Sequence, residues 1–321
     1  VMTGTSPYDE TAQIKDNTVF KKKNETIKRI IEYQRESAAR NGWEFTDWNA
    51  PMVAINQELQ QKDPSFTLCG NDRIHPDNDG HMVMAYLFLK AQGLAGKLVA
   101  DIRIDGAGKK VTRSDNCRVS DLSVSSDNLT FTYEAKSLPY PIDTSYYDNE
   151  KHTQADALSV IPFMDEMNYE GLSVSGLSDG YYGLTIGGEF IGRFTARELE
   201  RGINMALLQN TPQYKQAMKI RQMNEERWLK ERKMREFYWV EYNLMRKTGM
   251  LWACNEAAVD TLRKYRPHDI FLQWNGALWL QYMHKGIRED CVNEQQDLVN
   301  RIYEQNKPIP LRIEIKKFTD L

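Results

Sequence analysis

Apolar residues recur along this 321-residue chain with two different periods, and the changes of period mark out its regions. VMTGTSPY starts apolar and runs into a Gly/Ser/Pro turn, the pattern of a buried strand leaving a sheet. A chain that begins inside a strand is expected to be a fragment or a processed product. Lys22 to Asn41 places Ile27, Ile30, Ile31, Tyr33 and Ala38 at near-helical spacing, with Gly42 as a stop. Trp43 to Trp48 reads as a short aromatic strand. Ala50 to Gln61 reads as a helix with Met52, Ile55 and Leu59 on one side. A further helix runs from Gly80 to Gln92. It is apolar at almost every position between Met82 and Leu89, which predicts burial on most of its sides. Strand, helix, strand, helix, loop and buried helix is the order of an α/β domain, with a parallel sheet covered on both faces.

The period shortens near Gly96. LVADIRI, KKVTRS, CRVSDLSVS and LTFTYEA are short extended runs separated by DGAG and SSDN turns, which predicts antiparallel hairpins. Pro139 to Asp156 is polar and turn-rich, a linker or long loop. Strand patterns resume in GLSVSGL, YYGLTI and EFIGRF. Thr195 then caps a helix expected to reach Leu208, with Glu198 completing a capping box. A long helix starts at Pro212 and reaches about Lys247, and another spans about Ile287 to Asn306. LRIEIKKF closes the chain as a strand. The pattern divides the chain into an α/β part over 1–96, an antiparallel β accessory region over 97–194 and a helical region over 195–321. No internal repeat or low-complexity tract interrupts this order.

Composition narrows the class of function. Hydrophobic residues make up 41% and charged residues 27%, enough apolar material for a core, and the net charge of −3 gives no pull toward nucleic acid or an acidic membrane. No apolar run is long enough to cross a bilayer. The Lys and Arg of the long helix alternate with Glu, including Glu226/Lys230 and Glu231/Arg235 at i,i+4, as on a solvated helix face. Its Trp228, Phe237, Tyr238 and Trp239 are expected to pack between helices, with a sugar-binding surface as the alternative. Cys69, Cys117, Cys254 and Cys291 stand far apart without a C-x-x-C pair, so neither a zinc site nor a dithiol site is expected. Buried free thiols are the expectation for them.

The chemistry concentrates in Gly70 to Leu94, GNDRIHPDNDGHMVMAYLFLKAQGL. A serine hydroxyl is a weak nucleophile at neutral pH and needs an imidazole to take its proton. The imidazole in turn needs a carboxylate to hold its tautomer and stabilise its charged form. Asp72-x-x-His75 sets these two groups on one short loop, with Pro76 stiffening its exit. DRIHP followed by this apolar helix resembles the last motif block of the SGNH/GDSL hydrolases. TGTSPYD resembles the sheet strand and turn that come earlier in the same family. The resemblance covers roughly residues 1 to 95 and is looser beyond. It implies a flavodoxin-like three-layer α/β sheet, present here in part, and a serine ester hydrolase working without cofactor or metal. By the same resemblance His75 is the general base and Asp72 its orienting partner.

The family's Gly-Asp-Ser nucleophile motif is absent from these residues. The resemblance therefore places the nucleophile, with the oxyanion-hole groups, on an upstream segment, and this chain alone is expected to be inactive. Gly70-Asn71-Asp72 imitates the family's G-x-N-D motif but lacks its spacer, and Asp72 is assigned to the histidine. Ser6 lies in a Gly-x-Ser turn, yet Pro7 after it has no N–H to offer an oxyanion. DNDGH lacks the rest of a calcium loop, and His81 is expected to cap or pack its helix. Arg73 is expected to form an exposed ion pair, with substrate contact as its alternative role. The substrate expected is an acyl ester of a carbohydrate or small molecule, in a periplasmic or secreted protein. A different class stays open: a non-catalytic scaffold on a degenerate SGNH core that binds a glycan or a protein.

Overall fold

Met2–Gly4 (β1) and Phe45–Asp47 (β2) pair in parallel, with Met2 opposite Phe45 and Gly4 opposite Asp47. The structure, a computed structural model, describes residues 1–14, 22–145 and 151–318. Within the polar 139–156 stretch, residues 146 to 150 lie outside them. Lys23–Asn41 (α1) connects the two strands and buries Ile27, Ile31 and Ala38 along one stripe. Ile30 and Tyr33 fall off that stripe and face solvent. Gly42, at φ 66°, ends the helix in the left-handed conformation that glycine adopts without strain.

Asn49–Leu59 (α2) and Asn78–Ala91 (α3) complete the α/β part. Met82, Val83 and Tyr86 of α3 are buried and Met84, Leu87, Phe88 and Leu89 half-buried, leaving His81, Ala85 and Lys90 exposed, so the helix is covered on most of its sides. Met52 and Leu68, with Ile142, Ile161 and Phe163 from farther along the chain, form one core with its buried residues.

The β region departs from a simple run of hairpins. Ala100–Asp105 (β3), Lys110–Asp115 (β4), Cys117–Val124 (β5) and Asn128–Ala135 (β6) come first. Phe163–Glu166 (α4), Glu170–Ser175 (β7), Tyr181–Ile186 (β8), Glu189–Thr195 (β9), Ala196–Arg201 (α5) and Ile203–Asn204 (β10) follow. One sheet has the order β10-β7-β3-β4, and β3 pairs with β7 in parallel, Ala100 opposite Glu170. The expectation of an all-antiparallel region is corrected here: the chain leaves β3, builds two hairpin strands elsewhere and returns beside β3 running the same way. The Thr195 capping box is present, its hydroxyl accepting from the Glu198 amide at 3.2 Å. Its helix stops at Arg201 rather than at Leu208, because Gly202 turns to φ 93° and the next residues pair as β10.

Pro212–Val240 (α6), a π-helical turn at Glu241–Met245, Glu256–Tyr265 (α7), Ile270–Tyr282 (α8) and Lys285–Gln305 (α9) make the helical part. Asn255 and Asp269 start α7 and α8 by accepting backbone N–H groups on their side chains. Phe237, Val240, Met245 and Trp279 are completely buried at its centre, while Trp228 and Tyr238 face solvent. The i,i+4 pair Glu231–Arg235 forms at 2.9 Å, and Lys230 adds a 2.7 Å ion pair to Glu294 on α9. Leu311–Lys317 (β11) then enters the second sheet, of order β5-β6-β11-β8-β9, antiparallel to β6 and β8. The last strand of the sequence is thus central to a β core built on Ile102, Phe131, Leu172, Leu184 and Ile313. The described chain divides into two compact units, Val1–Thr211 with Pro310–Leu321, and Pro212–Ile309. All four cysteines are free thiols; Cys69, Cys117 and Cys291 are buried as expected, and Cys254 is exposed.

Candidate active site

The loop between α2 and α3 is closed by its own backbone. The Leu68 amide donates to Asn56 Oδ1 on α2 at 2.9 Å, and Asp77 N–H returns to the Leu68 carbonyl at 3.0 Å. Inside that closure Cys69 and Pro76 form a β-bridge, Gly70 N–H meets the His75 carbonyl at 2.8 Å, and Arg73 N–H meets the Gly70 carbonyl at 2.9 Å. Gly80, in the first turn of α3, is needed for the close approach: a Cβ there would stand 2.1 Å from the Leu68 carbonyl oxygen.

Asp72 uses both carboxylate oxygens within this loop. Oδ1 accepts from the Ile74 and His75 amides at 2.9 and 3.0 Å, a local turn that fixes the side chain. Oδ2 lies 2.5 Å from His75 Nδ1. Burial works to raise the Asp72 carboxyl, but hydrogen bonds from the His75 ring and from the two amides outweigh it and hold the group below its ordinary value. When the imidazole is neutral, this contact places its proton on Nδ1 and leaves the Nε2 lone pair as the basic site. The His75 side chain is 80% exposed and Asp72 47%, so the pair opens to solvent. Among the described residues no serine hydroxyl is hydrogen-bonded to His75, and Ser6 lies half-buried at the turn after β1.

Arg73 is placed otherwise than the sequence suggested. It is 1% exposed and lies against buried Asp9, with 3.8 Å between Nη2 and Oδ1. The expected exposed ion pair is corrected to a buried one, with the side chain turned into the interior. The DND acids serve the start of α3. Asp77 Oδ1 accepts from Asn78 N–H at 2.8 Å, and its Oδ2 accepts from the Lys151 and His152 amides at 3.0 and 3.3 Å. Buried Asp79 pairs with His152 Nδ1 at 2.8 Å, and the His152 ring stacks on Phe66. His81 is exposed on α3. Among the described residues no three His, Cys, Asp or Glu side chains are grouped to hold a metal ion.

Two participants escaped the sequence reading. Asp9 stood in view in the SPYD turn, but its partner Arg73 lies 64 positions away and no local period connects them. His152 sits in the polar 139–156 stretch, where nothing in the pattern marks it.

Residues 218–307 match the family described as the diltiazem deacetylase C-terminal helical domain. A search of curated proteins gives no match. Among solved structures, the chain is similar to BT4096, a gut microbial diltiazem-metabolizing enzyme, with 54% sequence identity and a TM-score of 0.93. The match covers 99% of this chain and 72% of that one. With an identity this high over nearly its whole length, the chain belongs to the same family as the diltiazem-metabolizing enzyme BT4096.

Proposed function

We propose that the protein is an ester hydrolase of the SGNH/GDSL serine class and that these residues supply the base-and-acid half of its active site. The observation that carries the reading is the Asp72–His75 pair, 2.5 Å from Oδ2 to Nδ1, with the imidazole otherwise open to solvent. In this reading His75 Nε2 takes the proton of a serine hydroxyl as it attacks the ester carbonyl. Asp72 stabilises the imidazolium that forms, and the proton then passes to the departing alkoxide. Water, activated by the same imidazole, releases the acyl group from the serine. The nucleophile and the oxyanion-hole donors lie upstream of Val1. The longer chain of BT4096 leaves room for a further segment, since the match covers 72% of it.

The substrate class is an acyl ester of a small molecule or carbohydrate. Acetyl esters come first, because both the matching family and the similar structure are described by their action on diltiazem. The test is acetate release from diltiazem and from p-nitrophenyl acetate by the whole gene product. His75→Ala should lower kcat by about 10³-fold or more, and Asp72→Asn by a comparable factor, with little change in KM. Undiminished turnover in His75→Ala would remove His75 as the base.

A further inference from the structure

The loop that presents His75 is anchored from below by a residue between the two members of the pair. Arg73 takes φ 59°, a left-handed conformation that a side chain with a Cβ rarely adopts. The consequence is a split of directions. Asp72 and His75 point outward at 47% and 80% exposure, while the Arg73 side chain, at 2%, points inward. Two separate ties lead from Arg73 to one residue. Its carbonyl accepts the Asp9 N–H at 3.0 Å, and its guanidinium, whose Nε and Nη2 make no hydrogen bond among the described residues, faces the Asp9 carboxylate at 3.8 Å as an ion pair. Asp9 is itself fixed at the turn after β1: Oδ1 accepts from the Thr11 and Ala12 amides, each at 2.9 Å, and Oδ2 accepts from Gln60 Nε2 at 3.0 Å.

We propose that Arg73 is a positioning residue, its buried guanidinium held against Asp9 so as to fix the left-handed turn that sets Asp72 on His75. Glycine would take the same φ without strain, so the backbone shape alone does not call for arginine. What arginine adds is a second attachment, joining the His75 loop to the end of the sheet strand. Without it the loop keeps its internal ties, Gly70 to His75 and Cys69 to Pro76, and the single backbone bond from the Asp9 N–H. Catalytic groups need to be held to about 0.5 Å, and supporting contacts outside the reacting atoms supply that precision. The inference rests on the Asp72–His75 reading given above, and its test is separable from it.

The test compares wild type with Arg73→Gly, which keeps the backbone conformation and loses the anchor, and Arg73→Lys, which keeps the charge. The first readout is the His75 Nδ1–H proton resonance by NMR, observed in the whole gene product without any substrate. It should be far downfield in the wild type, broadened by solvent exchange in Arg73→Gly, and partly restored in Arg73→Lys. The second is turnover by the whole gene product. There kcat should fall about 10-fold in Arg73→Gly with KM unchanged, in line with the sensitivity of catalysis to displacements of under 1 Å. An unchanged resonance and unchanged kcat, with only a lowered Tm, would overturn the proposal. Should Arg73→Gly fail to fold, Asp9→Asn takes its place and must show the same broadening. A downfield resonance in a wild type without esterase activity sinks the hydrolase reading alone, and the anchor is then judged by the broadening.

Discussion

Asp79 and His152 form a second carboxylate–imidazole pair, four residues past His75, and burial gives it a different character from the first. The His152 ring is raised above its ordinary value, first by the Asp79 carboxylate 2.8 Å from its Nδ1, against a smaller opposing effect of burial. Asp79 is raised as well, because burial of the carboxylate outweighs its attraction to the His152 ring. Both shifts have the same sign in linkage: the native state holds protons that the unfolded state releases. The His152 contribution is therefore complete below pH 6.5 and is lost as pH rises through the raised native value. Asp79 acts in the same sense in the acid range above 3.8. Melting temperature should fall between pH 6 and pH 8.5 more steeply in the wild type than in His152→Gln, measured by differential scanning calorimetry in matched buffers. Equal slopes would mean that this pair does not couple to folding. At this scale the sequence showed one pair and not the other. Asp72 and His75 are three residues apart on one loop, so their spacing is itself the signal. Asp79–His152 and Asp9–Arg73 are brought together only by tertiary packing, of which hydrophobic period carries no trace.

At the scale of elements, α3 decides where the loop sits, and its first turn depends on a glycine. The Leu68 carbonyl occupies the place that a Cβ at position 80 would need, and the same carbonyl accepts the Asp77 amide at 3.0 Å. Gly80→Ala should destabilise the protein by about 1–3 kcal/mol through overpacking against backbone that has no room to yield. Chemical denaturation measures it, and a loss below about 0.5 kcal/mol would show that the loop gives way freely. The elements most legible in the sequence were those whose patterning is complete within themselves. α1 has its stripe and its Gly42 stop, and α5 its capping box at Thr195. Elements whose character depends on distant partners were less legible. α3 is apolar from Met82 to Leu89, and its cover comes from residues as distant as Ile142 and Phe163. β3 and β7 run parallel because of where the chain goes between them. β11 reads as an ordinary closing strand, and nothing in LRIEIKKF says that it lies between β6 and β8.

At the scale of the whole molecule, the described residues form a β core that includes Ile102 and Ile313 and a helical core that includes Phe237 and Trp279. For the active site we propose a division, with Asp72 and His75 supplied by these residues and the nucleophile by residues before Val1. That division is the central claim, and an irreversible label of the nucleophile tests it most directly. The whole gene product, treated with a fluorophosphonate and digested for mass spectrometry, should carry the phosphonyl group on a serine upstream of Val1. Labelling should slow by about 10²-fold or more in His75→Ala, because the hydroxyl then lacks its general base. A label on Ser6 or another serine of these 321 residues, or a labelling rate indifferent to His75, would contradict the account.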